Sequence, residues 1–138
     1  MKSRWSVVAV AVAGVALLLG AARASAHHSL SSEFDISKTV TITGTVTKME
    51  WVNPHSWVRI DVKGPDGKVE NWAVEMGPPN SLLRSGWNKN SLPVGTEILV
   101  DGFRAKDGTP VANGREVTFP DGKRLFVGGS APGTPAAR

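Results

Sequence analysis

The sequence predicts an all-β protein: a small OB-like barrel of about five strands, with one short helix between the third and fourth. Three observations predict it. β-Branched residues alternate with polar ones in several short runs, Gly/Pro/Asp turns separate those runs, and the first run changes phase midway. A β-sandwich is the alternative arrangement of the same strands.

The first 26 residues stand apart from that pattern. "MKSRWS" carries Lys2 and Arg4, "VVAVAVAGVALLLGAA" is apolar, and Ala24-Ser25-Ala26 follows. A basic, then apolar, then A-x-A order is that of a Sec-type signal peptide. The apolar run falls short of the roughly 20 residues a spanning helix needs, so no stable membrane anchor is expected. Cleavage after Ala26 leaves one domain with an N-terminal arm over 27–127 and a tail over 128–138; cleavage after Ala24 is the other option. Either cut places the protein in the periplasm or outside the cell. Of 16 basic residues the leader holds three, so the remainder carries 13 against 12 acidic ones, a net charge of +1. That balance removes the electrostatic case for nucleic acid. The chain has no cysteine, which excludes disulfides and thiolate chemistry and limits any metal site to nitrogen, oxygen or thioether donors.

Along the domain, residues 27 to 38 are polar apart from Leu30, Phe34 and Ile36, and read as an irregular arm. In "KTVTITGTVTKMEW" Val40, Ile42 and Val46 face one way and the threonines the other. The apolar phase then shifts toward Met49 and Trp51, which marks a bulge or bend, with Gly44 helping the strand curl. "SWVRIDVK" turns Val58, Ile60 and Val62 inward, "GPDG" is a turn, and "VENWAVEM" returns with Trp72, Val74 and Met76 on one face. "GPPNSLLRSGW" breaks the strand pattern: Asn80 or Ser81 caps a short helix and Gly86 ends it. "TEILVDGFRA" is a fourth strand. "REVTFPDGKRLFVG" is a fifth, folded into a hairpin across Pro120-Asp121-Gly122. The tail "GGSAPGTPAAR" has the composition of a disordered segment.

Three histidines carry the chemical interest. If His27 becomes the first residue, its amine and imidazole together chelate a metal, and His28 or His55 supplies a third nitrogen. Nitrogen-rich tetragonal sets favour Cu(II) or Ni(II). Cleavage after Ala24 would instead give Ser25-Ala26-His27, where amine, amides and imidazole form a square plane. His55 sits in "EWVNPHSW" on the loop joining the first two strands, where Asn53-Pro54 favours a turn. An arm folded over that loop would bring His27, His28 and His55 together. Copper is the first candidate and zinc the second. Glu50 and Glu75, with Asp35 in the arm, are possible accessory carboxylates, and Met49 and Met76 possible thioethers. Trp51 and Trp57 are accessory aromatics beside the loop. No Ser or Cys nucleophile motif, phosphate loop or dinucleotide fingerprint is present.

"AHHSLSSEFD", "GTVTKMEWVNPHSW", "NWAVEMGPPNSLLRSGW" and "VDGFRAKDGT" together resemble a family of small exported bacterial proteins that constitutes a domain of unknown function. The resemblance runs from His27 to about Val127. It implies an exported β-barrel-like domain and brings no activity with it. The residues themselves therefore point first to a periplasmic copper-binding carrier, chaperone or sensor, more in keeping with a binding protein than an enzyme. A metal-free OB-like module for a peptide, glycan or envelope protein partner is the alternative. An oxidative copper enzyme with an N-terminal histidine would in addition need a flat, exposed substrate surface.

Overall fold

The computed structural model describes residues 30–128. The expected leader, His27, His28 and the tail beyond Gly128 lie outside the described residues. The compact unit that carries the sheet begins at Glu33. It contains six strands: β1 (Phe34–Glu50), β2 (Trp57–Lys63), β3 (Val69–Glu75), β4 (Glu97–Ala105), β5 (Val111–Thr118) and β6 (Arg124–Phe126). Helix α1 (Pro79–Arg84) lies between β3 and β4. All strands belong to one sheet, in the order β3-β2-β1-β4-β5-β6, and β3 also pairs with β5. That pairing is parallel, Ala73–Glu75 against Val111–Asn113, and it joins β1, β2, β3, β5 and β4 into a ring. The all-β class, the five ring strands and the helix position match the sequence prediction. The strands form one sheet closed on itself instead of the two faces of a sandwich.

Alternation fills the ring. Val46, Val58, Ile60, Val74, Val100 and Val117 are fully buried inside it; burying a Val or Ile side chain contributes about 1.5–3 kcal/mol. The phase shift read in β1 is a register break between Val46 and Lys48 against β2, which bends the strand. β1 pairs with β4 up to Thr45 and with β2 from Thr45 onward, so one strand serves both sides of the ring. Gly44 allows the close approach, because a Cβ there would lie 2.8 Å from the Asp61 carbonyl oxygen.

Three boundaries differ from the sequence reading. β1 starts at Phe34, inside the stretch that reads as an irregular arm, after helical residues 30–33. Phe34 pairs with Ala105, but the next paired residue is Thr39 opposite Phe103. The excess residues bulge outward, with Asp35 Oδ1 accepting hydrogen bonds from Ser37 N (3.1 Å) and Oγ (2.6 Å). That polar excursion erases the alternation from which a strand is read. β5 starts at Val111, four residues before the expected Arg115. Asn113-Gly114 has turn composition, yet Gly114 lies in the ladder opposite Gly102. Finally, α1 is not capped by Asn80 or Ser81. Pro79 is its first residue and Pro78 its N-cap, with no side-chain cap bond, since proline presets the first helical φ. The other end agrees: Gly86 has φ +89°, and Trp87 N donates to Leu82 O at 3.0 Å.

Trp87 seals one end of the core. It is 1% exposed, its ring centroid lies 5.7 Å from that of Phe119, and its indole Nε1 donates to Phe126 O at 2.7 Å. The indole thus satisfies a carbonyl on β6. Trp87→Phe should lower the unfolding free energy by about 2–3 kcal/mol, the sum of an orphaned carbonyl and a small cavity. Urea unfolding followed by circular dichroism measures it, and a loss below the scatter between replicate curves would show that the indole bond does not tether β6.

Candidate functional site

Ladder geometry puts His55 where it is. Ser56 N donates to Gly77 O (3.1 Å) and Met76 N donates to Ser56 O (2.8 Å), so the end of the β1–β2 loop is stitched to the end of β3. The Asn53–Pro54 peptide just before it is cis. Ser56 is fully buried, and its Oγ has no hydrogen-bond partner among the described residues. His55, its neighbour, points outward with its side chain 48% exposed.

Beneath His55 lies Glu75. Val74 and Met76 turn into the core, so alternation sends Glu75 to the outer face, yet its side chain is only 10% exposed. Trp57 is its cross-strand neighbour on β2 and Asn113 its neighbour on β5. One carboxylate oxygen, Oε1, is in contact with His55 Nδ1. The other, Oε2, accepts a hydrogen bond from Asn113 Nδ2 at 3.3 Å. Among the described residues no Lys or Arg pairs with Glu75, so the His55 imidazole and the Asn113 amide are its side-chain partners. A buried carboxylate is costly without such compensation. The pair also fixes the imidazole: a proton held on Nδ1 toward Glu75 leaves the Nε2 lone pair facing outward.

The other candidate residues divide. Glu50 is engaged elsewhere, with Lys48 at 2.7 Å and Arg59 at 3.5 Å. The Lys48 hydrogen bond, with the charges of Lys48 and Arg59, holds its carboxyl below the usual carboxylate range against opposing desolvation. Asp35 is held low chiefly by its Ser37 hydrogen bond. Trp51 and Met49 pack against the core, and Met76 lies within it, 2% exposed. Trp57 is half-buried on the outer face, with Glu50 and Glu75 as its cross-strand neighbours. Among the described residues no group of three His, Asp or Glu side chains is arranged to hold a metal ion. His55 with Glu75 is the arrangement present, and Asn113 is the member that sequence reasoning misses. Nothing in "VANGR" points to Glu75, 38 positions away; only the parallel pairing joins them.

Two measurements test this geometry. His55→Ala leaves the Glu75 carboxylate buried without its imidazole partner and should cost about 1–3 kcal/mol. Adding Glu75→Gln to His55→Ala should recover part of that loss, because a neutral amide needs no counter-charge; purely additive effects in the double-mutant cycle would deny the coupling. Separately, Lys48→Met should raise the Glu50 titration midpoint toward the ordinary carboxylate value, read by carboxyl-carbon NMR. The sign follows from the Lys48 contact favouring the ionised form: its stabilisation is present above the unfolded-state pKa and disappears as pH falls through the depressed folded one.

No curated protein matches the chain. A model of a family of unknown function, DUF6152, matches residues 14–114. That stretch takes in the β1–β2 loop with His55, the end of β3 with Glu75, and Asn113, so the whole of this arrangement falls within it. The chain belongs to that family of unknown function.

Proposed function

We propose that the protein is an exported metal-binding protein, with copper its first candidate ion and zinc its second. The observation that carries this reading is the buried Glu75 carboxylate on Nδ1 of a half-exposed imidazole. Metal-ligating histidines are commonly held in this way, the second-shell carboxylate fixing the tautomer and raising the basicity of the ligating nitrogen. A cation on Nε2 would also supply positive charge near an acid that no Lys or Arg among the described residues pairs with. The remaining imidazoles of the sequence are His27 and His28, and processing after Ala26 would add the His27 amine to the donor set.

A second reading rests on Trp57. The indole N–H groups of Trp72 and Trp87 are bonded to Glu70 and to Phe126 O, whereas that of Trp57 has no partner among the described residues. A half-exposed indole between two carboxylates is the kind of surface a metal-free module would use for a peptide or glycan. Its sign would be tryptophan quenching by a ligand that survives chelator.

The deciding experiment uses protein exported and processed by its own leader, with the N-terminus read from intact mass. Cu(II) titration should give a nitrogen-ligated site, lost or strongly weakened in His55→Ala. Glu75→Gln should loosen it by about 10–100-fold, the range for second-shell partners. Affinity indifferent to both substitutions would remove His55 from the site.

A further inference from the structure

We propose that the open edge of β1 at Thr39–Thr43 pairs with the same segment of a second copy of this chain, antiparallel about a two-fold axis at Thr41. The proposal is independent of the metal-binding reading. It rests on the first half of β1 and uses no residue of the His55 loop.

The edge is defined by what β1 pairs with. Along Thr39–Thr45 the strand pairs with β4 without a slip, but it pairs with β2 only from Thr45 onward. On the β2 side, Thr39–Gly44 therefore has no partner strand among the described residues. Val46 tells which groups face that side: its N donates to Thr96 O and its O accepts from Gly95 N, both at 2.8 Å, on the β4 side. In an antiparallel strand alternate residues send both backbone groups the same way. Gly44, Ile42 and Val40 thus bond toward β4, and Thr39, Thr41 and Thr43 present their N–H and C=O groups to the open side. All three threonines are exposed.

An open edge is a template for another strand, and natural sheets blunt such edges with charges, prolines or bulges. In β1 the bulge carrying Lys38 closes one end of the stretch, and the register break after Val46 closes the other. Between them Thr39–Val46 has no charge and no proline, and every residue except Gly44 is β-branched. The other open stretches are guarded. β3 pairs with β5 only from Ala73, and its free residues before that include Glu70. β6 is three residues long and carries Arg124.

Self-complementarity selects the occupant. With Thr41 on the axis, it faces Thr41 of the second copy, Thr39 faces Thr43, and Val40 faces Ile42. Threonine meets threonine on the solvated face, a favourable cross-strand pair, and aliphatic meets aliphatic on the other. Lys38 comes opposite Gly44, so no like charges meet. The three hydrogen-bonded pairs exchange about six backbone bonds, two for each pair. A two-fold contact of this kind consumes the edge of both copies, so assembly stops at a dimer. The sheet then runs from β4 through β1 into β1 and β4 of the second copy.

Sedimentation equilibrium of the processed chain tests the dimer. The mass should rise toward twice that of the monomer over roughly 0.1–1 mM, a range suited to an interface below standard size. Thr41→Lys sets two like charges on the axis and should weaken association about fivefold or more. Thr41→Val also loses the Thr41 Oγ1 bond to Asp101 Oδ1 (2.5 Å) but leaves the edge uncharged, and should still dimerise. Register is read from Thr41→Cys in this cysteine-free chain. Hydrogen-bonded partners lie about 5.5 Å apart at Cα, within disulfide reach, so oxidation should crosslink the dimer. Leu83→Cys, on the exposed side of α1, should crosslink no faster than random collision. A monomer at every concentration overturns the proposal, as does a dimer indifferent to Thr41→Lys or one that Thr41→Cys fails to crosslink. A monomer that instead takes up an extended peptide, with amide NMR shifts confined to Thr39–Thr43, overturns it in favour of strand addition by another protein.

Discussion

Three residue pairs decide the character of this molecule. The parallel contact of Ala73–Glu75 with Val111–Asn113 is a short piece of ladder, and parallel pairing is the weaker kind per residue. Without it β3 would end the sheet as an open edge, and the Val74 side of the core would face solvent. With it the sheet closes, and Val74 and Ala112 both become fully buried. The same closure places Asn113 beside Glu75, so an acid on the outer face loses its access to water. Core formation and the isolation of one carboxylate are thus two effects of one contact.

Closing a ring with so few strands demands strong curvature, which the chain supplies at glycines and bulges. Gly102 faces Gly114 between β4 and β5, next to a register break after Asp101. A Cβ on Gly114 would sit 2.9 Å from Val74 Cγ1 and 3.0 Å from Val127 Cγ2. The absence of side chains there lets β5 lie close to β3 and to the chain just after β6. Val127 extends the arrangement, donating to Arg115 O (3.0 Å) and accepting from Gly77 N (2.8 Å). Gly77 also accepts from Ser56, so the loop bearing His55 and the last segment of the sheet are anchored to the same turn after β3.

Much of this was legible in the sequence wherever one physical period dominates. Val58-Ile60-Val62 and Trp72-Val74-Met76 alternate because the core lies on one face of each strand, and the phase slip near Met49 marks the real bulge. What escaped reading lay where local composition and long-range contact disagree. Phe34 belongs to a strand although Asp35-Ser37-Lys38 after it form a polar excursion. Asn113-Gly114 has the composition of a turn, but tertiary pairing keeps it extended. At the site, Glu75 could be named as a nearby acid, but its partner Asn113 could not. Glu50 looked equally eligible from its spacing to His55, and two neighbouring cations hold it instead. Electrostatic engagement of this sort depends on side-chain reach across strands, which alternation does not encode.

The choice of histidine over a stronger base at position 55 carries the remaining argument. A buried carboxylate that needed only a counter-charge would be served best by arginine, whose guanidinium stays charged and binds both oxygens. Such a pair would leave no unused lone pair. Histidine compensates the acid less completely, because its charge depends on a proton or a metal. In exchange it presents a second nitrogen, and here that nitrogen belongs to a ring nearly half exposed. The loop also holds this ring firmly, through the two backbone bonds of Ser56. A residue fixed by its backbone, oriented by a buried acid and open on its far side is arranged to meet something from outside. That combination, more than the presence of a histidine, separates the His55 region from the ion pairs elsewhere on the surface.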